Sequence, residues 1–246
     1  MKVLGIDTSS YVNAIGVIDG DKILSDFTFE AKTDSLKNIV TNIDSALGKA
    51  NLTLEDVQGI GVGLGPGSWT GVRIGVTVGK ILAYVTKRPV AGVPTLEALA
   101  YNARNVTTLI CSIINAGRDT VYAAIYRPQK GAVTRLSEYY VGDVQKLTEM
   151  ITEPTTFTGP EAQFYSKLMR PTFESQSINI EVMEDIPRGY AVAMLAEARF
   201  QKGQTDNVLS LEPMYLKEST AKAFVNRYSI NAGVKGQDLP GVSSGR

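Results

Sequence analysis

The sequence predicts an α/β fold built in two halves of similar design, and three observations carry that expectation. Extended segments with two-residue apolar alternation are interleaved with segments of 3.6-residue period. Each half opens on extended segments and closes on helices, with a seam near residues 102–106. The 246 residues are 43% hydrophobic and 20% charged, an ordinary globular balance with enough chain for a substantial core.

The elements follow in order. Residues 2–7 form a short apolar run that ends in Asp7-Thr8-Ser9-Ser10. Within 11–18, Val12, Ala14, Gly16 and Ile18 alternate as a strand requires, and Asp19-Gly20 is a two-residue hairpin turn into an extended 22–30. Leu36, Ile39, Val40, Ile43, Ala46 and Leu47 make one continuous stripe, which predicts a helix over 34–50 capped by Thr33 or Asp34. A strand over 57–64 runs into the glycine-rich Gly65-Pro66-Gly67-Ser68-Trp69-Thr70, and a second helix continues to about residue 86. A strand at 89–93 and a helix from Thr95 to about Ala103 close the first half. The second half reads as a strand at 107–114, a turn at Asn115-Ala116-Gly117-Arg118, and strands at 120–127 and 131–140. Helices at 143–152, 160–169 and 188–202 then alternate with strands at 155–158 and 178–183. The apolar period is lost after Leu216, and residues 231–246, rich in Gly and Ser, read as a loosely ordered tail.

Composition removes several function classes. Lys plus Arg and Asp plus Glu are both 25, so the chain lacks the basic excess on which avid nucleic-acid binding depends. There is no histidine, hence no Ser-His-Asp triad, no Cys-His pair and no histidine-metal cluster. The single cysteine, Cys111, lies in an apolar strand-like run and reads as a small core hydrophobe. One cysteine permits no internal disulfide, and the opening run is too short for a signal peptide or a membrane span. The expectation is a soluble, cytoplasmic protein with no membrane contact.

Three features could carry function. Asp7, Thr8 and Ser9 sit in a tight turn where an acid and hydroxyls can hold a metal or a phosphate, or can serve the turn itself. Gly65, Gly67 and Ser68 lie between a strand and a helix N-terminus, the arrangement of an anion site, although the Gly-Lys-Ser/Thr ending of a P-loop is missing. On the second helix Gly71, Gly75, Gly79 and Ala83 recur every four residues and leave one face nearly smooth. Mid-helix glycine costs about 0.5–1 kcal/mol relative to alanine, so this face implies close approach of another backbone, either the chain's own sheet or a second protein. Val72 and Val76 add apolar area, and Arg73 in the first turn, where the helix dipole disfavours a cation, implies an anion nearby. These residues are the candidate partner interface.

Gly65-Pro66-Gly67-Ser68-Trp69-Thr70-Gly71-Val72-Arg73-Ile74-Gly75 resembles the G-P-G-S-F-T-G-x-R-x-G of the TsaB (YeaZ) family. Asp7-Thr8-Ser9, Thr95-Leu96-Glu97-Ala98-Leu99-Ala100 and Pro213-Met214-Tyr215-Leu216-Lys217 support the resemblance, which runs to about Lys217. The chain departs from the family at Asn115-Ala116-Gly117-Arg118-Asp119-Thr120-Val121-Tyr122, where D-A-R-R-G-x-V-Y is usual. The resemblance implies an actin-like (ASKHA) fold of mixed sheets flanked by helices, with lobes at 1–103 and 104–217 and a tail at 218–246. It implies a non-catalytic subunit of the bacterial system that makes threonylcarbamoyladenosine in tRNA. The partners implied are a TsaD-like transferase and a TsaE-like ATPase, with tRNA reached indirectly and a homodimer when the chain is isolated. Asp7, Thr8, Ser9, Gly65, Gly67 and Ser68 would then be a vestigial phosphate site. No cofactor or metal is expected on the chain alone, and ATP or ADP is placed only at the complex interface. Two alternatives are an ASKHA small-molecule kinase, which would need a catalytic acid and a glycine-rich adenosine motif in the second half, and a metallopeptidase, which would need metal ligands.

Overall fold

A computed structural model of the chain describes residues 1–30 and 35–217, and residues Met1–Leu216 pack as one unit. The first sheet comprises β1 (Lys2–Asp7), β2 (Val12–Asp19), β3 (Lys22–Glu30), β4 (Gly59–Gly63) and β5 (Val90–Val93), in the order β3-β2-β1-β4-β5. The β1–β2 and β2–β3 pairs are antiparallel, as short turns require, and the parallel β1–β4 and β4–β5 pairs need crossovers. Those crossovers run through α1 (Ser35–Lys49) and α2 (Trp69–Thr86). The hairpin turn falls one residue later than expected, at Gly20-Asp21, because Asp19 pairs with Lys22, and Gly20 takes a positive φ of 56° there.

The second sheet comprises β6 (Leu109–Gly117), β7 (Thr120–Gln129), β8 (Ala132–Arg135), β9 (Tyr140–Asp143), β10 (Thr155–Gly159) and β11 (Ile180–Glu184). Its order is β11-β10-β6-β7-β8, with β9 also paired to β7. The remaining helices are α3 (Thr95–Asn102), α4 (Val144–Leu147), α5 (Ala162–Ser175) and α6 (Gly189–Gln201), with short 3-10 turns at Leu54–Asp56 and Thr148–Met150.

Each face of each sheet is covered by residues that the apolar periods select. Ile39, Ile43 and Leu47 of α1 and Val72 and Val76 of α2 pack with Leu4, Ile6, Ile60 and Val62 on one face of the first sheet. Ala191, Val192 and Ala196 of α6 cover its other face against Val3, Ile18, Ala91 and Val93. Thus α6, which follows β11 in the chain, returns to the first sheet. Backbone approaches backbone there: a Cβ on Gly16 would overlap the Tyr190 amide, and one on Gly189 would overlap Gly16. In the second sheet Phe157, Tyr165, Met169 and Phe173 form one core, while Leu96, Leu99 and Ala100 of α3 pack on the opposite face with Ile110 and Tyr126.

The elements differ from expectation in several places, among them the helix expected over 143–152, which is the short α4 followed by the 3-10 turn Thr148–Met150. The 131–140 strand is two strands, β8 and β9, both on the same edge of β7. Strand β6 runs on through Gly117, so the turn tightens to Arg118-Asp119, both at positive φ. Helix α5 continues past Pro171, because Tyr165, Met169 and Phe173 keep one buried stripe through it. On α1, Val40 faces solvent while Ile39, Ile43, Ala46 and Leu47 are buried; the caps Thr33 and Asp34, and the tail 218–246, lie outside the described residues.

Candidate functional site

The β1–β2 turn, the glycine loop and the start of α2 meet at one place, and their hydrogen bonds decide what that place can do. The Asp7 carboxylate is fully buried and accepts from the Ser9 amide (2.8 Å), the Ser9 hydroxyl (2.5 Å) and the Thr95 hydroxyl (3.1 Å). Burial pushes the Asp7 carboxyl above the usual range, and the bonds from Ser9 and Thr95 pull it back in part. The Thr8 hydroxyl donates to the Gly71 carbonyl at 2.6 Å. The Ser68 amide donates to the Ser9 carbonyl at 2.6 Å, and the Ser68 hydroxyl caps α2 by accepting from the Gly71 amide at 3.2 Å.

This geometry takes Asp7 and Thr8 out of the vestigial phosphate site and leaves Ser9, Gly67 and Ser68 at the edge of a cleft. Asp7, Thr8 and Ser9 are buried and their side-chain oxygens are bonded to one another, to Thr95 and to α2, while Ser68 is exposed. Gly67 is glycine because a Cβ there would overlap the Ser9 carbonyl, and Gly65 takes φ 89° beside Val72. Beside the β1–β2 turn lies a cleft of about 210 Å³ between Ser9, Ser10, Tyr11, Gly67 and Ser68 on one side and Asn115 and Pro160 on the other. Asn115 at its edge accepts from the Gly117 amide (2.6 Å), which shapes the turn. Among the described residues no group of three or more His, Cys, Asp or Glu side chains could hold a metal.

The structure also corrects the glycine face of α2. A Cβ on Gly71 would overlap the Thr8 carbonyl, one on Gly75 the Thr8 hydroxyl, and one on Gly79 the Val62 side chain. Val72, Val76 and Ala83 are buried beside them in the first-sheet core. What the glycines make room for is the chain's own Thr8, just past β1, and Val62 of β4, so Val72, Gly75, Val76, Gly79 and Ala83 are buried and Gly71 is half-buried.

The opposite face of α2 is surface, and toward the C-terminal end of the helix it is apolar. Ile81, Tyr84 and Val85 are 56%, 66% and 70% exposed. Arg73 is exposed too, but its neighbours are aromatic. Its guanidinium carbon lies 4.3 Å from the Trp69 ring centre, and its Nε donates to the Tyr215 hydroxyl at 2.8 Å. The Trp69 and Tyr215 rings are 4.2 Å apart. Tyr215 belongs to a segment tied across the molecule: Asp206 pairs with Arg199 (2.9 and 3.0 Å), Lys80 donates to the Leu209 and Leu211 carbonyls, and the Met214 amide to that of Leu64. Sequence reasoning missed Tyr215 as the group beside Arg73, 142 positions away; the Pro213–Lys217 match was the only signal near it.

The two mixed sheets with helices on their faces define the class, an actin-like α/β fold. The structure aligns with YeaZ from Pseudomonas aeruginosa at TM-score 0.72 and 22% identity, covering 87% of this chain and 99% of that one. It aligns with a ROK hexokinase from Thermus thermophilus at TM-score 0.50 and 13% identity, covering 81% and 100%. In sequence, the family described as TsaD, tRNA N6-adenosine threonylcarbamoyltransferase, matches residues 28–237. The tRNA threonylcarbamoyladenosine biosynthesis protein TsaB of Bacillus subtilis is 27% identical over 91% of this chain and 97% of its own length. That of Escherichia coli is 25% identical over 90% and 96%. The chain belongs to this TsaD family and, within it, to the TsaB (YeaZ) proteins. No helix among the described residues is long and apolar enough to cross a membrane.

Proposed function

We propose that this chain is a non-catalytic subunit of the system that makes threonylcarbamoyladenosine in tRNA, and that it binds and activates a TsaD-like transferase. The observation that carries the reading is the outer face of α2 in a chain of this family, a helix seated on its own sheet by glycines that still presents Ile81, Tyr84 and Val85 to solvent. Single exposed apolar residues are ordinary, but three on adjacent turns of one helix make a patch that a protein partner can cover. Catalysis by the chain alone is disfavoured by the lack of histidine, by a buried and internally bonded Asp7, and by a buried Cys111 whose thiol burial pushes far up. The same patch serves a homodimer in the isolated chain, so self-association and transferase binding exclude one another. A TsaE-like ATPase completes the assembly, ATP or ADP binds only at the subunit interface, and the complex works in the cytoplasm.

The test is depletion of the protein in its own cell, followed by mass spectrometry of digested tRNA. The expected result is a fall in threonylcarbamoyladenosine that the wild-type chain restores and an Ile81→Asp chain does not. An unchanged nucleoside level contradicts the proposal.

A further inference from the structure

The exposed arc of α2 has two edges of different chemistry. At about 100° per residue, Trp69, Lys80, Arg73 and Tyr84 fall within about 60° of one another, and Ile81, Ile74 and Val85 form a separate edge beyond them. The first edge is aromatic and cationic. Between Asp56 and Glu97 the sequence has no acidic residue, while Arg73, Lys80, Lys87 and Arg88 are all cations. Of these, Arg73 and Lys80 belong to the first edge, while Lys87 and Arg88 lie beyond the far end of the helix. Glu212 is the acid that borders the adjoining groove of about 340 Å³.

At that edge, Arg73 and Tyr215 lie 4.3 and 4.2 Å from the Trp69 ring and 5.8 Å from one another. Seen from the indole, these distances place them about a right angle apart, so they do not sandwich it. Trp69 and Tyr215 remain 42% and 44% exposed. The Arg73–Tyr215 hydrogen bond and the Lys80 bonds to Leu209 and Leu211 hold this arrangement in place before any ligand arrives. A fixed, exposed indole with Arg73 against its ring, and Lys80 farther along the same groove, suits a ligand with a flat π-face and a phosphate, and single-stranded nucleic acid supplies both in series. An acidic protein segment would match the charge but would leave the aromatic surface without a counterpart.

We propose that the Trp69–Arg73–Tyr215 edge of α2 binds unpaired RNA directly, with a base stacked on the aromatic pair and phosphates against Arg73 and Lys80. The choice of RNA rests on the reading above; the binding itself does not require a transferase partner, so a binding assay fails or succeeds independently of nucleoside levels. With two cations the contact is weak, and it adds to whatever a partner contributes.

Trp69 is the only tryptophan in the chain, so its fluorescence reports this edge alone. The experiment titrates the full chain with a synthetic tRNA anticodon stem-loop and with oligouridylate, following Trp69 emission and, in parallel, the anisotropy of labelled RNA. The expected result is saturable quenching. Two neutralised phosphates give a slope of about −1.4 in log affinity against log salt, or about sevenfold weaker binding from 50 to 200 mM. Trp69→Ala should weaken binding about tenfold, and Trp69→Phe should keep it within about threefold by anisotropy. Arg73→Gln should weaken binding and flatten the salt slope by about half, whereas Lys202→Gln, behind the opposite face of the first sheet, should change neither. Circular dichroism confirms that each variant is folded. The proposal is overturned if RNA leaves Trp69 emission unchanged at low salt, or if Lys202→Gln weakens binding as much as Arg73→Gln. It is also overturned if ATP alone quenches as strongly as RNA, or if only a TsaD-like protein does.

Discussion

Gly75→Ala separates a glycine face seated in the fold from one offered to a partner. The substitution adds one methyl on the buried side of α2, where it would overlap the Thr8 hydroxyl. Thr8 is itself buried and uses that hydroxyl to hold the Gly71 carbonyl at 2.6 Å. Making room costs about 1–3 kcal/mol as overpacking, and losing the Thr8–Gly71 bond about 1 kcal/mol more. Alanine returns about 1 kcal/mol through helix propensity. The net is a loss of about 1–3 kcal/mol; at 2 kcal/mol this lowers the melting temperature of a chain this size by about 4–8 °C. Gly48→Ala is the control: it lies on exposed α1 with nothing within 4 Å of the added methyl, and should gain about 0.5 kcal/mol. Urea unfolding of both variants against wild type gives the midpoints, with unchanged m-values confirming that stability alone moved. If Gly75→Ala proves as stable as Gly48→Ala, the glycine face does not rest on the β1–β2 turn and the packing argument fails.

Three further outcomes follow from two buried groups and one half-buried ion pair. The Asp7 carboxyl is raised in the folded state, so the fold binds its proton more tightly than the unfolded chain does; stability from this group grows as pH falls through the raised value and levels off below about 3.8. Urea midpoints of wild type minus Asp7→Asn across acidic pH should contain that rise, and a flat difference contradicts it. Cys111 is buried, and burial raises its thiol, so an aromatic disulfide reagent should modify it only when urea unfolds the chain; rapid native reaction would refute this. Asp206→Ala removes the Arg199 pair and the bond from the Gly92 amide (2.7 Å), and should cost about 1–2 kcal/mol after allowance for partial exposure, with proteolysis beginning earlier in the 204–217 segment.

Where local chemistry decides the structure, the sequence could be read directly. The β2–β3 hairpin, one residue later than expected at Gly20-Asp21, most of the α1 stripe and the strand-loop-helix around Gly65 each follow from neighbouring residues. The glycine spacing on α2 was legible as a requirement for close approach, but a periodicity carries no information about which backbone approaches. The answer came from Thr8 and Val62, more than 60 and 16 positions away, whose atoms lie where the missing methyls would be. The hydroxyl-rich turn was legible as a polar cluster, yet whether its donors face a ligand or one another depends on Thr95 and the α2 cap. Arg73 posed the same problem: its position in the first turn called for a compensating neighbour, and the neighbours are the Trp69 and Tyr215 rings rather than an acid. The return of α6 to the first sheet depends on Gly5, Gly16 and Gly189 meeting across more than 170 residues of chain, beyond any window of local pattern.

The most direct test of the account is calorimetric titration of the TsaD-like protein from the same cell with wild-type, Ile81→Asp and Gly48→Ala chains, each shown to be folded. The account predicts a saturable one-to-one complex with wild type and with Gly48→Ala. It predicts at least a tenfold loss with Ile81→Asp, because a charge would be buried without a partner in an apolar contact. A folded Ile81→Asp chain that binds with wild-type affinity, or a wild-type chain that does not bind at all, contradicts it.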